Sequence, residues 1–197
     1  MRKNEKSFIK GLTIVILLLV LASSLVNLDK PIPGQIADVF EFSDEDSLNE
    51  MISAAEKFNK SIFLPFELPN KLEYTALYLK ESPFIAILVY SAEGNKDYKT
   101  AELTIEISIS TSPPTYNDLF SKSLDSEYET ALLINDWPVL VNERASTGSY
   151  VETKEKYGDH FLLVITYIGG MRYLIGCRTL TKSESIILVR NMDLLTS

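Results

Sequence analysis

Residues 84–90 read Phe-Ile-Ala-Ile-Leu-Val-Tyr, apolar at every position. A strand apolar on both faces belongs inside a sheet covered on both sides. Residues 103–109 follow a different rule. Leu103, Ile105, Ile107 and Ile109 alternate with Thr104, Glu106 and Ser108, the period of a half-buried strand whose polar face meets solvent. Upstream, Ile62-Phe63-Leu64 reads as a short strand held at an edge or turn by Pro65 and Pro69, and Leu72–Lys80 as a longer one. Two runs, 130–136 and 138–146, flank a predicted turn at Asn135-Asp136-Trp137-Pro138, and residues 148–159 are read as a further strand and turn. The strongest hairpin signal is Gly169-Gly170 between two apolar, β-branched and aromatic runs, since a two-residue turn demands positive φ. Pairing outward from it sets Ile168 opposite Met171, Thr166 opposite Tyr173 and Val164 opposite Ile175.

Three segments carry helical spacing. In residues 42–59, Leu48, Met51, Ile52, Ala55 and Phe58 make one apolar face. Ser43 is the expected N-cap, with Asp46 three residues on in the manner of a capping box and Asp44, Glu45 and Asp46 at the end of the helix dipole that favours anions. After Pro113-Pro114, the residues Tyr116, Leu119, Phe120 and Leu124 suggest a short helix. Thr181 and Glu184 form a second capping box ahead of Ile186, Ile187, Val189 and Leu194. The links between strands are too short for parallel crossovers, so the fold class is α+β: one largely antiparallel sheet packed by about three helices.

Ahead of this domain lies a different regime. Gly11–Leu28 is 18 residues without a charge. Extended back to Phe8, the run is long enough to cross a hydrocarbon core of ~30 Å at ~1.5 Å per residue. Arg2, Lys3, Lys6 and Lys10 precede it against Glu5 alone, which by the positive-inside rule holds the N-terminus in the cytoplasm. Ala22-Ser23-Ser24 offers a signal-peptide cleavage site, but Leu25 and Val26 carry the apolar run past it. The expected organisation is a basic stub and transmembrane anchor over 1–28, a tether over 29–42 broken by Pro31, Pro33 and Gly34, and an extracytoplasmic domain over 43–197 at the cell membrane.

Charge narrows the partners. Residues 29–197 hold 15 Lys and Arg against 26 Asp and Glu, a net of −11. That field repels nucleic acid and anionic headgroups. The lone Cys177 rules out an internal disulfide and, placed in an apolar strand, reads as a small buried hydrophobe.

Residues 50–195 resemble the domain-of-unknown-function family 4367. The resemblance rests on a helix feeding "FLPFELPN", an apolar strand ending "LVYS", the "INDWPVLVNE" segment and the closing "YLIGCRTLTKSESIILVRNM". It implies a bacterial or archaeal exported domain, often behind a membrane anchor or linked to a lipoprotein-carrier-like domain. Members often have a glycine-rich turn after the first Leu-Pro, where this chain has Asn70-Lys71. The family supplies no established catalytic residues to carry over.

The residues themselves point to no catalytic, cofactor or metal set. His160 is the single histidine, and one His with one Cys does not make a zinc site. His160 beside Asp159 lacks a nucleophile elbow. The acids Asp38, Glu41, Asp44, Glu45, Asp46 and Glu50 lack the alternation and central glycine of a calcium loop and read as a solvated helix start. Trp137 reads either as an exposed aromatic binding anchor or as a lid on one end of the core. Asn59-Lys60-Ser61 is an N-glycosylation acceptor triplet. The functional expectation is a membrane-anchored, non-enzymatic binding or sensing domain with a protein or peptide partner. A carrier for apolar ligands or lipoproteins is the alternative suggested by doubly apolar strands, and an unrecognised hydrolase is the third.

Overall fold

The computed structural model describes residues 46–148 and 151–195. The anchor over 8–28, the tether over 29–42 and the cap expected at Ser43 lie outside the described residues. Among those described, no helix is long and apolar enough to cross a membrane.

Among the described residues, nine strands and four helices follow one another in the order α1 (Leu48–Glu56), β1 (Phe63–Pro65), β2 (Glu73–Glu81), β3 (Phe84–Ser91), β4 (Leu103–Ile109), α2 (Tyr116–Ser123), β5 (Glu129–Ile134), β6 (Trp137–Ser146), α3 (Val151–Tyr157), β7 (His160–Ile168), β8 (Met171–Cys177), α4 (Lys182–Arg190) and β9 (Met192–Leu194). The fold is α+β. Seven strands form one antiparallel sheet in the order β2-β3-β4-β8-β7-β6-β5, and β1 pairs with β9 in a separate two-stranded ribbon. The sheet is two meanders, β2-β3-β4 and β5-β6-β7-β8, sewn together between β4 and β8.

Local sequence explains most elements. β3 is buried along its whole length, as a strand apolar on both faces requires. The Gly169-Gly170 turn has φ of 60° and 77°, and it sets the β7–β8 register in which Ile168, Thr166 and Val164 oppose Met171, Tyr173 and Ile175. α4 opens on the Thr181–Glu184 capping box. β1 runs Phe63–Pro65 at the short ribbon, where a proline is tolerated.

Four expectations need correction. The N-cap of α1 is Ser47, whose hydroxyl and backbone N–H complete a capping box with Glu50. Both Ser43 and Ser47 start a suitable pattern, and the longer Glu reaches back where Asp46 is already engaged by β2. Trp137 lies in β6 opposite Ile134, since the turn is only Asn135-Asp136, with φ of 50° and 64°. Such a turn favours Asn-Gly; Asp136→Gly is therefore expected to stabilise the domain by ~0.5–1 kcal/mol, read as a higher urea midpoint. The segment expected as a strand over 148–159 forms α3 instead, which makes four helices among the described residues. Its anchors are tertiary: Thr153 donates to the Lys99 carbonyl, and Tyr157 donates to that of Thr100 at 2.9 Å. The fourth correction concerns β4, whose polar face is not solvated: Glu106 and Ser108 are buried, flanked in register by Ile85 and Ile87 of β3 and Leu174 of β8.

The main core lies on one face of the sheet. Leu88, Ile105, Ile107, Tyr173, Ile175 and Val164 meet Met51, Ala54 and Ala55 of α1, Leu188 and Val189 of α4, and Met192 of the ribbon. The opposite face carries two smaller apolar clusters, Ala76-Val89-Ala101 and Ala145-Leu163-Leu174. α2 packs on β5 and β6 with Leu119 and Ser123 buried.

Candidate interaction surface

The residues singled out in the sequence fall in separate places. Asn59 is exposed and closes α1 in the left-handed region at φ 53°. Its N–H donates to the Glu56 carbonyl at 2.9 Å, and the Lys60 N–H donates to that of Ala55 at 3.1 Å. This is the Schellman pattern, so Asn59 has a conformational role whatever else it carries. Trp137 is half-buried and meets Phe63 edge-on at 5.8 Å. His160 opens β7, exposed, opposite Ser146. The Ser146 hydroxyl accepts from the Gly148 N–H, and Asp159 pairs with Lys154 at 2.7 Å, so these three side chains do not assemble as a triad. Cys177 is buried, and burial pushes its thiol up to about 12, as a packing residue should be. Asp46 accepts from the Leu79 N–H at 2.8 Å, and the Glu50 carboxylate is taken by its cap. Among the described residues no group of three or more His, Cys, Asp and Glu could hold a metal ion.

One ionisable group expected on a solvated face is buried instead. Glu106 sits mid-strand in β4 with 7% of its surface exposed. Arg172 approaches at 3.8 Å, beyond hydrogen-bond reach, and Oε1 has no hydrogen-bond partner. Burial raises the carboxyl to about 7, and Arg172 offsets part of that rise. A cleft of about 230 Å³ lies elsewhere, lined by Ile52, Glu56, Lys60, Ile62, Leu194 and Leu195.

The two edges of the large sheet are treated differently. At β2, the Asp46 N–H donates to the Leu77 carbonyl at 2.8 Å while its carboxylate takes the Leu79 N–H. β2 also carries Lys80 and a bulge between Tyr74 and Ala76. These are devices that close an edge to further pairing. β5, Glu-Thr-Ala-Leu-Leu-Ile, has no Pro, Lys, Gly or bulge. The Glu143 N–H donates to the Tyr128 carbonyl at 2.9 Å, which makes Glu129–Asn142 a non-hydrogen-bonded pair. By alternation Thr130, Leu132 and Ile134 bond to β6, and Glu129, Ala131 and Leu133 turn their backbone groups outward. The Glu129 N–H is taken by the Ser126 carbonyl. Ala131 and Leu133 thus present two N–H and two C=O groups to no partner among the described residues.

Large apolar side chains accompany that edge. Leu133 of β5 is 56% exposed, Phe120 of α2 is 44% exposed, and Leu124, the C-cap of α2, is 70% exposed. Four charged side chains near that edge are already engaged: Lys182 with Glu143 at 2.7 Å, Glu129 with Asn142 at 3.0 Å, and Arg144 with the Tyr128 hydroxyl at 3.1 Å. An apolar strip with a polar rim and open amides has the make-up of a protein docking surface. The sequence displayed Leu133 and Phe120 but not their meaning, because β5 becomes an edge only through the strand order. No protein-family model, curated protein or solved structure matches the chain.

Proposed function

We propose that the chain is a membrane-anchored, extracytoplasmic and non-enzymatic domain that binds a protein partner along β5. The observation that carries this reading is the open pair of residues, Ala131 and Leu133, beside exposed Phe120 and Leu124. Extended chain added to a sheet edge draws affinity from its main-chain bonds and specificity from alternate side chains. The uncharged 11–28 run behind a basic stub supports the anchor. The net charge of −11 after residue 28 favours a protein partner over nucleic acid or anionic lipid.

A membrane-impermeant maleimide tests both halves, because Cys177 is buried and leaves an introduced thiol as the reporter. Glu93→Cys in the exposed β3–β4 loop should label in intact cells expressing the full chain. Leu133→Cys should label there far more slowly, its site being covered. Labelling of Glu93→Cys only after lysis would remove the extracytoplasmic placement, and equal rates at the two sites would remove the docking edge.

A further inference from the structure

We infer that the partner of β5 is a second copy of the same chain, joined strand to strand about a two-fold axis at Leu132. This rests on the docking reading above and names its occupant. The argument is one of register. An isologous antiparallel pairing must set outward-facing residues of one copy opposite outward-facing residues of the other. Centred on Leu132, it pairs Ala131 with Leu133 of the partner and Leu133 with Ala131 of the partner. Every N–H and C=O left open at these positions is then satisfied, giving four bonds across the axis. Shifting the axis to Ala131 would draw on the Glu129 N–H, which Ser126 already holds, and would set Leu133 against a carboxylate. Shifting it to Leu133 leaves Ala131 opposite the turn residue Asn135. The Leu132 register also fits side chains: a large Leu133 stands opposite a small Ala131 of the other copy, twice across the axis. It places Glu129 opposite Asn135, so no like charges face each other along the seam. The result is one continuous 14-stranded sheet, twice the seven of a single copy.

The axis makes a sharp test. Leu132 and its symmetry mate form a non-hydrogen-bonded pair, whose Cα atoms lie ~4.5 Å apart in such ladders. That is within the range a disulfide spans. The full chain, purified in detergent micelles, is made with single cysteines at each position from 129 to 135 and mildly oxidised. Disulfide-linked dimer should peak at Leu132→Cys and fall away on both sides. Leu133→Lys, an exposed change that spares the core, should convert the native chain from dimer to monomer by light scattering, whereas Leu194→Lys on β9 should not. Raising salt should strengthen the dimer, since both copies are acidic. A monomeric native chain, or cross-linking that peaks away from 132, overturns the inference. A chain covered at Leu133 in cells but monomeric when purified would do so too, and would leave the docking edge standing for a different protein. Dimerisation in micelles does not depend on which side of the membrane the domain occupies, so the two readings fail separately.

Discussion

Tyr173→Ala is expected to lower the unfolding free energy by about 3–5 kcal/mol, the largest loss of any single change considered for this domain. Tyr173 is fully buried on β8, between Ile107 of β4 and Thr166 of β7. It therefore stands at the seam where the two meanders join. Its hydroxyl accepts from the Phe63 N–H at 3.0 Å and so ties β1 to the sheet. Burial also holds the phenol well above its usual range, so the group stays neutral throughout the working pH scale. Two effects are combined in the alanine variant, a ring-sized cavity and an orphaned amide. Tyr173→Phe separates them. It keeps the ring and strands only the Phe63 N–H, which costs ~1–3 kcal/mol. Urea unfolding of both variants measures the two contributions, and an alanine variant within 1 kcal/mol of the parent would show that the seam is not packed as described.

The second large effect is a dependence on pH that Glu106→Gln should abolish. The folded carboxyl titrates at about 7, against an ordinary 4.5, chiefly because of burial. A raised carboxyl means that the folded state holds its proton more tightly than the unfolded state does. Below 4.5 both states are protonated, and the contribution of Glu106 is fully favourable. As pH climbs from 4.5 to 7 the unfolded chain ionises first, and stability falls. Above about 7 the loss is complete. At ~1.4 kcal/mol per unit it is on the order of 3 kcal/mol. Carboxylates held below their usual range by caps or by Lys154, such as Glu50, Asp118 and Asp159, slope the other way. The informative quantity is therefore the difference between parent and variant. Glu106→Gln should be the more stable protein at pH 8, with the gap shrinking by pH 5. A gap of the same size at both values would mean that Glu106 is not the titrating group.

Glu106 also illustrates what the sequence could and could not convey. Its alternation with Leu103, Ile105 and Ile107 fixed its face correctly, because the pleat leaves no choice. Its burial depends on Ile85, Ile87 and Leu174 in neighbouring strands, and no pattern within β4 encodes neighbours. The β7–β8 register was legible to the residue because Gly169-Gly170 is a local device. α3 was not: Val-Glu-Thr-Lys-Glu-Lys-Tyr has no apolar face, and Thr153 and Tyr157 are fastened to carbonyls more than 50 residues earlier. The start of α1 was misplaced by four residues because two serines compete, and the decision lay with a contact between Asp46 and Leu79. For the docking edge, composition showed exposed-type residues in no special place. Only the strand order puts β5 last in the sheet.

The join between β4 and β8 has a consequence for how the protein is made. β4 ends at Ile109, and the strand it must pair with begins at Met171. A ribosome adding ~5–20 residues per second needs roughly 3–12 s to supply the intervening 110–170 stretch. Throughout that interval a nascent β-meander, rich in isoleucine, has one unfinished side. An ionisable side chain at the midpoint of the waiting strand is the kind of gatekeeper that discourages sticking to other nascent chains. The instability that Glu106 brings to the finished protein is then the counterpart of solubility in the half-made one.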